Sequence, residues 1–229
     1  DTNGGPFYSC DNLKIVEFEQ GITDIPEYMF SNCTGLERIT IPDTVTAIGK
    51  NAFSGCKNLS EVTFNKVLKT IDNYAFSGCT LLEEVVLPDS VELIKMYAFS
   101  GCVSLKNVRL SMNLKEIQHF AFGNCTSLCE IFIPKSITKT SDYDGVFENC
   151  TMLKKVQFEE GTTVIHRSMF ASCTGLEEII IPSTVERIEY MAFEGCVNLK
   201  KVTLSESLVE IGMYAFSNCT LLEEIIIPD

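Results

Sequence analysis

The chain has 229 residues, of which 45% are hydrophobic and 21% charged, and its formal net charge is −13. An acidic balance disfavours nucleic acid as a partner, because phosphates are bound by basic side chains. The sequence holds no run of about 18 apolar residues, the length that a membrane-spanning helix needs. We therefore expect neither binding to nucleic acid nor insertion into a membrane.

One short phrase recurs along the chain, and it closes with Ala-Phe-x-x-Cys, as in AFSGC at 75–79 and again at 98–102. Its cysteines recur every 23 residues, apart from one interval of 25, at Cys10, Cys33, Cys56, Cys79, Cys102, Cys125, Cys150, Cys173, Cys196 and Cys219. A fixed period in this range indicates a solenoid. We predict that residues 1–229 form a single solenoid domain of about ten stacked coils, curved and right-handed.

Within each phrase the predicted elements follow in a fixed order. The first is Leu-x-x-Val-x-Leu, as at 82–87, whose alternation indicates a short half-buried strand. A second extended segment follows at Val-x-x-Ile, as at 91–94, and a helical turn is predicted at Ala-Phe-x-x-Cys. One phrase cannot bury these side chains alone, so neighbouring coils must stack, with parallel strands about 4.8 Å apart. The predicted fold is an α/β repeat of mostly short parallel strands with helical turns.

Three features modulate this regular pattern. Proline follows the strand in every second phrase, where it ends the strand because it has no N–H to donate. The prolines are Pro42, Pro88, Pro134, Pro182 and Pro228. The phrase SITKTSDYDGVFENC at 136–150 is irregular, and Thr162 replaces an apolar residue in the next one. We expect local irregularity at both places.

The cysteine row is predicted to be reduced and buried. Parallel side chains on stacked coils keep their Cβ atoms about 4.8 Å apart, whereas a disulfide needs about 3.8 Å. A straight row also lacks the tetrahedral geometry of zinc sites. Cysteine here fits the role of a small hydrophobic residue. Cys129 stands outside the row and is expected to be exposed.

The full phrase, seen nearly whole in LERITIPDTVTAIGKNAFSGC at 36–56, resembles the BspA-like, or Treponema pallidum-type, leucine-rich repeat. The resemblance covers essentially the whole chain. It implies a bacterial cell-surface or secreted protein that adheres to host matrix or cells, with a host extracellular matrix protein, cell-surface protein or glycan as partner. It carries no catalytic motif with it.

The functional prediction is therefore a non-catalytic, monomeric interaction module without cofactor or metal. The chain has two histidines and no phosphate loop or nucleophile motif. It begins at Asp1 without a leader and stops at Asp229 just after an apolar triplet, so we expect a piece of a longer protein. Two alternatives stay open: a passive spacer that displays another domain, and an intracellular interaction scaffold, which the free cysteines would suit.

Two surfaces are candidates for binding. The eighteenth residue after successive cysteines gives Tyr74, Tyr97 and Phe120, which would stack beside Met96 and His119 as an exposed aromatic ridge. The alternative is a stripe that packs over the turns.

The seventh residue gives the second surface, where an outward-facing Phe132 is flanked by Arg109 and Gln157. Aromatic residues and arginine are favoured at interface hot spots. The alternative is that these residues stand there only for their strand propensity.

Overall fold

The computed structural model describes residues 4–19, 21–140 and 145–227. Within these ranges the chain forms seventeen short strands and no helix. They are β1 (Asp24–Ile25), β2 (Arg38–Thr40), β3 (Ala47–Ile48), β4 (Glu61–Thr63), β5 (Thr70–Ile71), β6 (Glu84–Val86), β7 (Leu93–Ile94), β8 (Asn107–Arg109), β9 (Glu116–Ile117), β10 (Glu130–Ile133), β11 (Lys155–Phe158), β12 (Val164–Ile165), β13 (Glu178–Ile180), β14 (Arg187–Ile188), β15 (Lys201–Thr203), β16 (Glu210–Ile211) and β17 (Glu224–Ile226).

The strands stack in parallel as a solenoid of about nine coils of about 23 residues. The Val-x-x-Ile segments form one ladder, in the order β1-β3-β5-β7-β9, which resumes as β12-β14-β16. The Leu-x-x-Val-x-Leu segments form the strand face, which comprises β2, β4, β6, β8, β10, β11, β13, β15 and β17. The repeat solenoid predicted from the sequence is confirmed. The first phrase differs, because residues 13–18 form no strand. In the described part of the chain, no helix is long and apolar enough to cross a membrane.

The helical turns predicted at Ala-Phe-x-x-Cys are wrong. A helix would send each N–H back along its own coil. Here alternate residues donate to the next coil instead, from Tyr74, Phe76 and Gly78 to the carbonyls of Met96, Ala98 and Ser100, over 3.0, 2.7 and 2.8 Å. The residues between them close tight turns within their own coil. This segment is therefore a third intercoil ladder, the turn ladder.

Two residues of each turn from the second to the tenth have a positive φ, which explains the composition of the phrase. The residue before the cysteine is glycine, asparagine or serine, as in Gly78 with a φ of 72° and Asn124 with 59°. These residue types occupy the left-handed region at low cost. Backbone conformation thus accounts for the asparagine in the four Asn-Cys-Thr sequences, at 32–34, 124–126, 149–151 and 218–220.

The turn ladder encloses the core. Its phenylalanines stack along the solenoid from Phe7 to Phe216, with ring centroids 5.0 to 5.6 Å apart. The stack passes through the irregular coil without a break, since Phe122 and Phe147 lie 5.6 Å apart. Eight of these rings, from Phe30 to Phe193, are fully buried. Offset aromatic stacking adds to the free energy gained by burying so much apolar surface.

The cysteine row is buried from Cys33 to Cys219, as predicted, but Cys10 at its start is exposed. All eleven cysteines are unpaired, and only Cys10 and Cys129 are exposed. Each buried thiol donates a hydrogen bond to a phenylalanine carbonyl of the preceding coil, as Cys102 Sγ does to Phe76 at 3.3 Å. Burial raises the pKa of Cys102 and of Cys150 to about 12. From Cys33 to Cys219 the row is therefore a line of buried, protonated thiols along the turn ladder.

The proline rhythm coincides with breaks in the strand face. Hydrogen-bonded pairing is interrupted between β4 and β6, between β8 and β10, and between β11 and β13. In each case the second coil is one that carries proline. Glu159 occupies the proline position in a coil without proline, and its N–H donates to the carbonyl of Ile133 in the preceding coil at 2.9 Å. Proline at this position removes that hydrogen bond. The junction between β15 and β17 stays paired over three residues, with Pro228 outside the described residues.

Coils without proline carry a polar residue at the same position. Asn65 is buried, and its Oδ1 accepts hydrogen bonds from the N–H groups of Val67 and Leu68 at 2.8 and 2.7 Å. Ser111 and Ser205 are buried in the equivalent turns and accept similar bonds. Such local side-chain bonds fix a turn much as proline does, but they leave the backbone N–H available.

The irregularity expected at Thr162 does not disturb the register. Thr162 is buried, and its hydroxyl donates to the carbonyl of Glu159 at 2.8 Å, so its polar atom is satisfied. The strand that follows, β12, pairs in register with β14. The irregular loop with its two carboxylates, at 141–144, lies outside the described residues.

Candidate functional site

The structure brings the predicted aromatic ridge together. Tyr74 and Tyr97 stack with ring centroids 4.8 Å apart and planes 2° from parallel. Phe120 lies 5.5 Å from Tyr97, and His119 meets Tyr97 edge-on at 5.1 Å. Tyr74 and Met96 are 37% and 40% exposed, and the other three residues are half-buried. The five residues form one surface strip, named here the aromatic ridge.

Partial burial sets the protonation of the ridge. It lowers the pKa of His119, so the imidazole is neutral at pH 7. It raises the pKa of Tyr97, with smaller contributions from Tyr74 and from the charge of Glu148. The ridge is therefore uncharged at neutral pH. Because Tyr74 and Tyr97 stack face to face, it presents mainly ring edges and hydroxyl groups to the solvent.

The ridge residues hold a backbone conformation that costs free energy. Tyr74, Tyr97 and Phe120 have φ angles of 57°, 58° and 55°. A left-handed residue other than glycine costs about 1–2 kcal/mol, and asparagine tolerates this region better. Asn51 occupies the same position one coil earlier, with a φ of 55°. Aromatic stacking, at about 0.5–1.5 kcal/mol per pair, offsets part of the cost.

A second aromatic cluster on the same side was missed by the sequence analysis. The guanidinium of Arg167 lies 4.4 Å from the ring centroid of Tyr190, and Tyr190 meets Tyr214 edge-on at 5.8 Å. Met213 and Tyr214 are 71% and 56% exposed. Arg167, Tyr190 and Met213 are each the seventeenth residue after a cysteine and Tyr214 is the eighteenth, so reading both positions together would have found the cluster.

The strand face places the other two predicted residues. Phe132 is 41% exposed, and it lines a cleft of about 300 Å³ together with Arg109, Val86 and Gln157. Arg109 is also tied to the preceding coil: it donates to the carbonyl of Leu87 at 2.9 Å and pairs with Asp89 at 3.1 Å. The two predicted residues are thus neighbours on one surface, separate in the coil from the aromatic ridge.

Ion pairs run along the solenoid on both strand ladders. On the strand face Lys200 pairs with Glu177, and Lys106 with Glu83, each at 3.1 Å. The second ladder holds a chain of pairs that the sequence analysis missed, in which Glu92 lies between Lys69 and Lys115 at 3.2 and 2.5 Å. Both lysines lower the pKa of Glu92 by hydrogen bonding and charge. The repeat distance of 23 residues between these charges was the available signal.

No metal site accompanies these surfaces in the described ranges, because no group of three or more His, Cys, Asp or Glu side chains there could hold an ion.

The model of the BspA-type leucine-rich repeat region, which comprises six copies, matches residues 3–92, 69–184 and 140–229. These matches cover nearly the whole chain. The chain belongs to the BspA-type leucine-rich repeat family. No curated protein shows a significant match to this BspA-type chain.

Solved structures of similar proteins come from bacteria. A leucine-rich cell surface protein of Faecalibacterium prausnitzii matches with a TM-score of 0.55 and 28% identity, over 95% of this chain and 66% of that one. The pneumococcal vaccine antigen PcpA matches with a TM-score of 0.63 and 32% identity, over 84% of this chain and 51% of that one. A leucine-rich repeat protein of Bacteroides ovatus matches with a TM-score of 0.56 and 26% identity, over 95% of this chain and 73% of that one. This BspA-type chain thus spans about half the length of the pneumococcal antigen.

Proposed function

We propose that this chain is a non-catalytic protein-interaction module of a bacterial cell-surface or secreted protein, and that it adheres to host matrix or host cells. Leucine-rich repeat solenoids serve as interaction scaffolds because stacking creates extended surfaces whose outward residues vary independently of the core. The names of two similar structures, a cell surface protein and a vaccine antigen, support a surface location.

The aromatic ridge is the observation that carries this proposal. Tyr74, Tyr97 and Phe120 keep a left-handed backbone conformation that Asn51 occupies more cheaply in the same column. The same conformation recurs at Tyr28, Met191 and Tyr214, so it belongs to the repeat. What distinguishes the ridge is its run of contiguous aromatic side chains at the surface, the residues that dominate protein interfaces.

Binding to immobilised host matrix proteins and cell-surface glycoproteins tests the proposal. The chain would be compared with a variant that carries Tyr74→Asn, Tyr97→Asn and Phe120→Asn, because asparagine tolerates the positive φ. Tyr214→Asn, in the same column on a different coil, is the matched control. We expect saturable binding that falls at least tenfold in the triple variant and is unchanged in the control.

Other outcomes would replace the proposal. Full binding by a correctly folded triple variant would show that the ridge only packs over the turns and does not bind the partner. A lack of binding to every host protein would favour the passive spacer, and binding confined to proteins of the bacterial cytoplasm would favour the intracellular scaffold.

A further inference from the structure

Clefts recur on the strand face at every second coil. The first is lined by β4 and β6, the second by β6, β8, β10 and Gln157 of β11, the third by β11 and β13, and the fourth by β15 and β17, with volumes of about 610, 300, 400 and 480 Å³. Each lies where a coil without proline is followed by one with proline. At three of the four the strands are not hydrogen-bonded to each other. The missing proline N–H thus coincides with a repeated opening in the surface.

An apolar side chain lines each of these clefts. The four are Val86, Phe132, Ile180 and Ile226, which are 47%, 41%, 68% and 71% exposed. On the intervening coils the same column carries the hydrogen-bond donors Arg109, Gln157 and Thr203. Apolar and donor positions therefore alternate along the solenoid axis, and the apolar ones recur about every 9.6 Å, twice the spacing of parallel strands.

This spacing fits one backbone conformation of a bound chain. A polyproline II helix has three residues per turn and a rise of about 3.1 Å, so every third side chain returns to the same face after about 9.3 Å. The mismatch with the clefts is about 0.3 Å per turn, or about 1 Å over the four clefts. Its carbonyls have no internal hydrogen bonds and can accept from Arg109, Gln157 and Thr203, which line the clefts beside the apolar residues.

The acidic residues of one cleft indicate which charge a bound chain would carry there. The cleft between β4 and β6 is lined by Glu61, Glu83 and Glu84 and by no basic residue. Lys106 pairs with Glu83, but neither Glu61 nor Glu84 forms an ion pair within the described part of the chain. A cationic residue of the partner would restore the balance there, in keeping with the net charge of −13.

We infer that the strand face binds a cationic, proline-rich peptide segment in the polyproline II conformation, which lies along the solenoid axis with an apolar residue over successive clefts. The inference rests on the proposed interaction function and adds the partner's class and a second surface. It is independent of the aromatic ridge.

A fluorescein-labelled peptide, with two lysines followed by four Pro-Leu-Pro repeats, tests the inference by fluorescence polarisation. We expect saturable binding to the chain, and weaker binding to a peptide of equal composition whose leucines are contiguous. The variant with Phe132→Ser and Ile180→Ser should lose at least tenfold in affinity. Met213→Ser, at an exposed apolar residue outside the strand face, should bind as the parent does.

The acidic cleft has its own variant, Glu61→Gln with Glu84→Gln. It should bind several-fold more weakly and show a smaller dependence on salt, because two carboxylates are removed. Circular dichroism would show that each variant is folded.

Three results would overturn the inference: no binding of the peptide, equal binding of the rearranged peptide, or full affinity in the Phe132 and Ile180 variant. These results are separable from failure of the proposed function, since the ridge variant is tested on host proteins rather than on this peptide. Loss of host binding in the ridge variant without peptide binding would overturn this inference alone.

Discussion

The turn ladder and the strand face achieve stacking in different ways. The turn ladder links coil to coil with hydrogen bonds from alternate residues, encloses the phenylalanine stack and is capped by buried thiols. The strand face is the segment that looks most like regular structure in the sequence, yet its pairing breaks at three junctions. The difference indicates that the turns hold the solenoid together, while the strand face is free to open clefts and vary its exposed residues.

Alkaline pH should weaken the turn ladder most strongly. Burial raises the pKa of Cys56, Cys102 and Cys150 from 9.0 to about 12. Above pH 9 the unfolded thiols lose protons that the folded ones keep, so the free energy of unfolding falls by about 1.4 kcal/mol per pH unit for each thiol. The contribution is complete below pH 9 and is lost as pH rises towards 12.

The measurement is the urea midpoint at neutral pH and at about pH 10.5, in reducing buffer. Cys129→Ser should show the same pH dependence as the parent, because Cys129 is exposed. A midpoint that stayed constant over this range would show that the thiols are not buried in the folded state.

Truncation of one stacked ring should cost the next largest amount. Phe99 is fully buried between Phe76 and Phe122, at centroid distances of 5.2 and 5.0 Å. Phe99→Ala should lower the free energy of unfolding by about 3–5 kcal/mol, measured by urea denaturation. Phe132→Ala, on the strand face, should change it by less than about 0.5 kcal/mol. Equal costs at the two sites would contradict the greater structural role of the turn ladder.

The thiol hydrogen bond should contribute a moderate amount. In Cys102→Ser, the shorter side chain would bring a more polar hydroxyl to a buried site where the sulfur now lies 3.3 Å from the Phe76 carbonyl. We expect a loss of about 1–3 kcal/mol in the free energy of unfolding. Cys129→Ser is the control and should have no measurable effect. A neutral Cys102→Ser would mean that the hydroxyl replaces the thiol and its hydrogen bond at no cost.

Restoring a backbone N–H to the strand face should have the smallest effect on stability. Pro88→Asn would mimic Asn65, whose side chain fixes the equivalent turn. The new hydrogen bonds stabilise the folded chain, whereas removal of proline raises the conformational entropy of the unfolded chain. The two effects nearly cancel, so we expect the free energy of unfolding to change by less than about 1 kcal/mol. Hydrogen exchange should show the new amide at position 88 protected by the preceding coil. An amide at position 88 that exchanged freely would show that proline is not the cause of the break in strand pairing.

Chemical patterning explains how much of the fold was predictable. The alternation at 82–87 identified a strand in which Val85 and Leu87 are buried, because successive side chains of a strand point to opposite faces of the sheet. The same logic placed Tyr74 and Tyr97 one coil apart, and their rings do stack. A period of 23 residues converts directly into spatial neighbours once coils stack in parallel.

The turn could not be predicted in the same way. Ala-Phe-x-x-Cys has the spacing of one helical turn, and the sequence does not show where each N–H will donate. The positive φ values at Tyr74 and Gly78 direct alternate amides to the next coil, which is possible only when that coil is present. The link between Arg109 and Asp89, 20 residues apart, likewise depends on two coils meeting in space.

By itself the sequence determined the repeat, the buried columns and the reduced cysteine row, because each follows from a local pattern multiplied by a constant period. The tertiary structure decided the rest: which backbone groups pair between coils, where the strand face is unpaired, and how aromatic side chains from separate phrases combine into surfaces. These depend on hydrogen bonds and contacts between residues that are distant in the chain, and such contacts exist only after stacking.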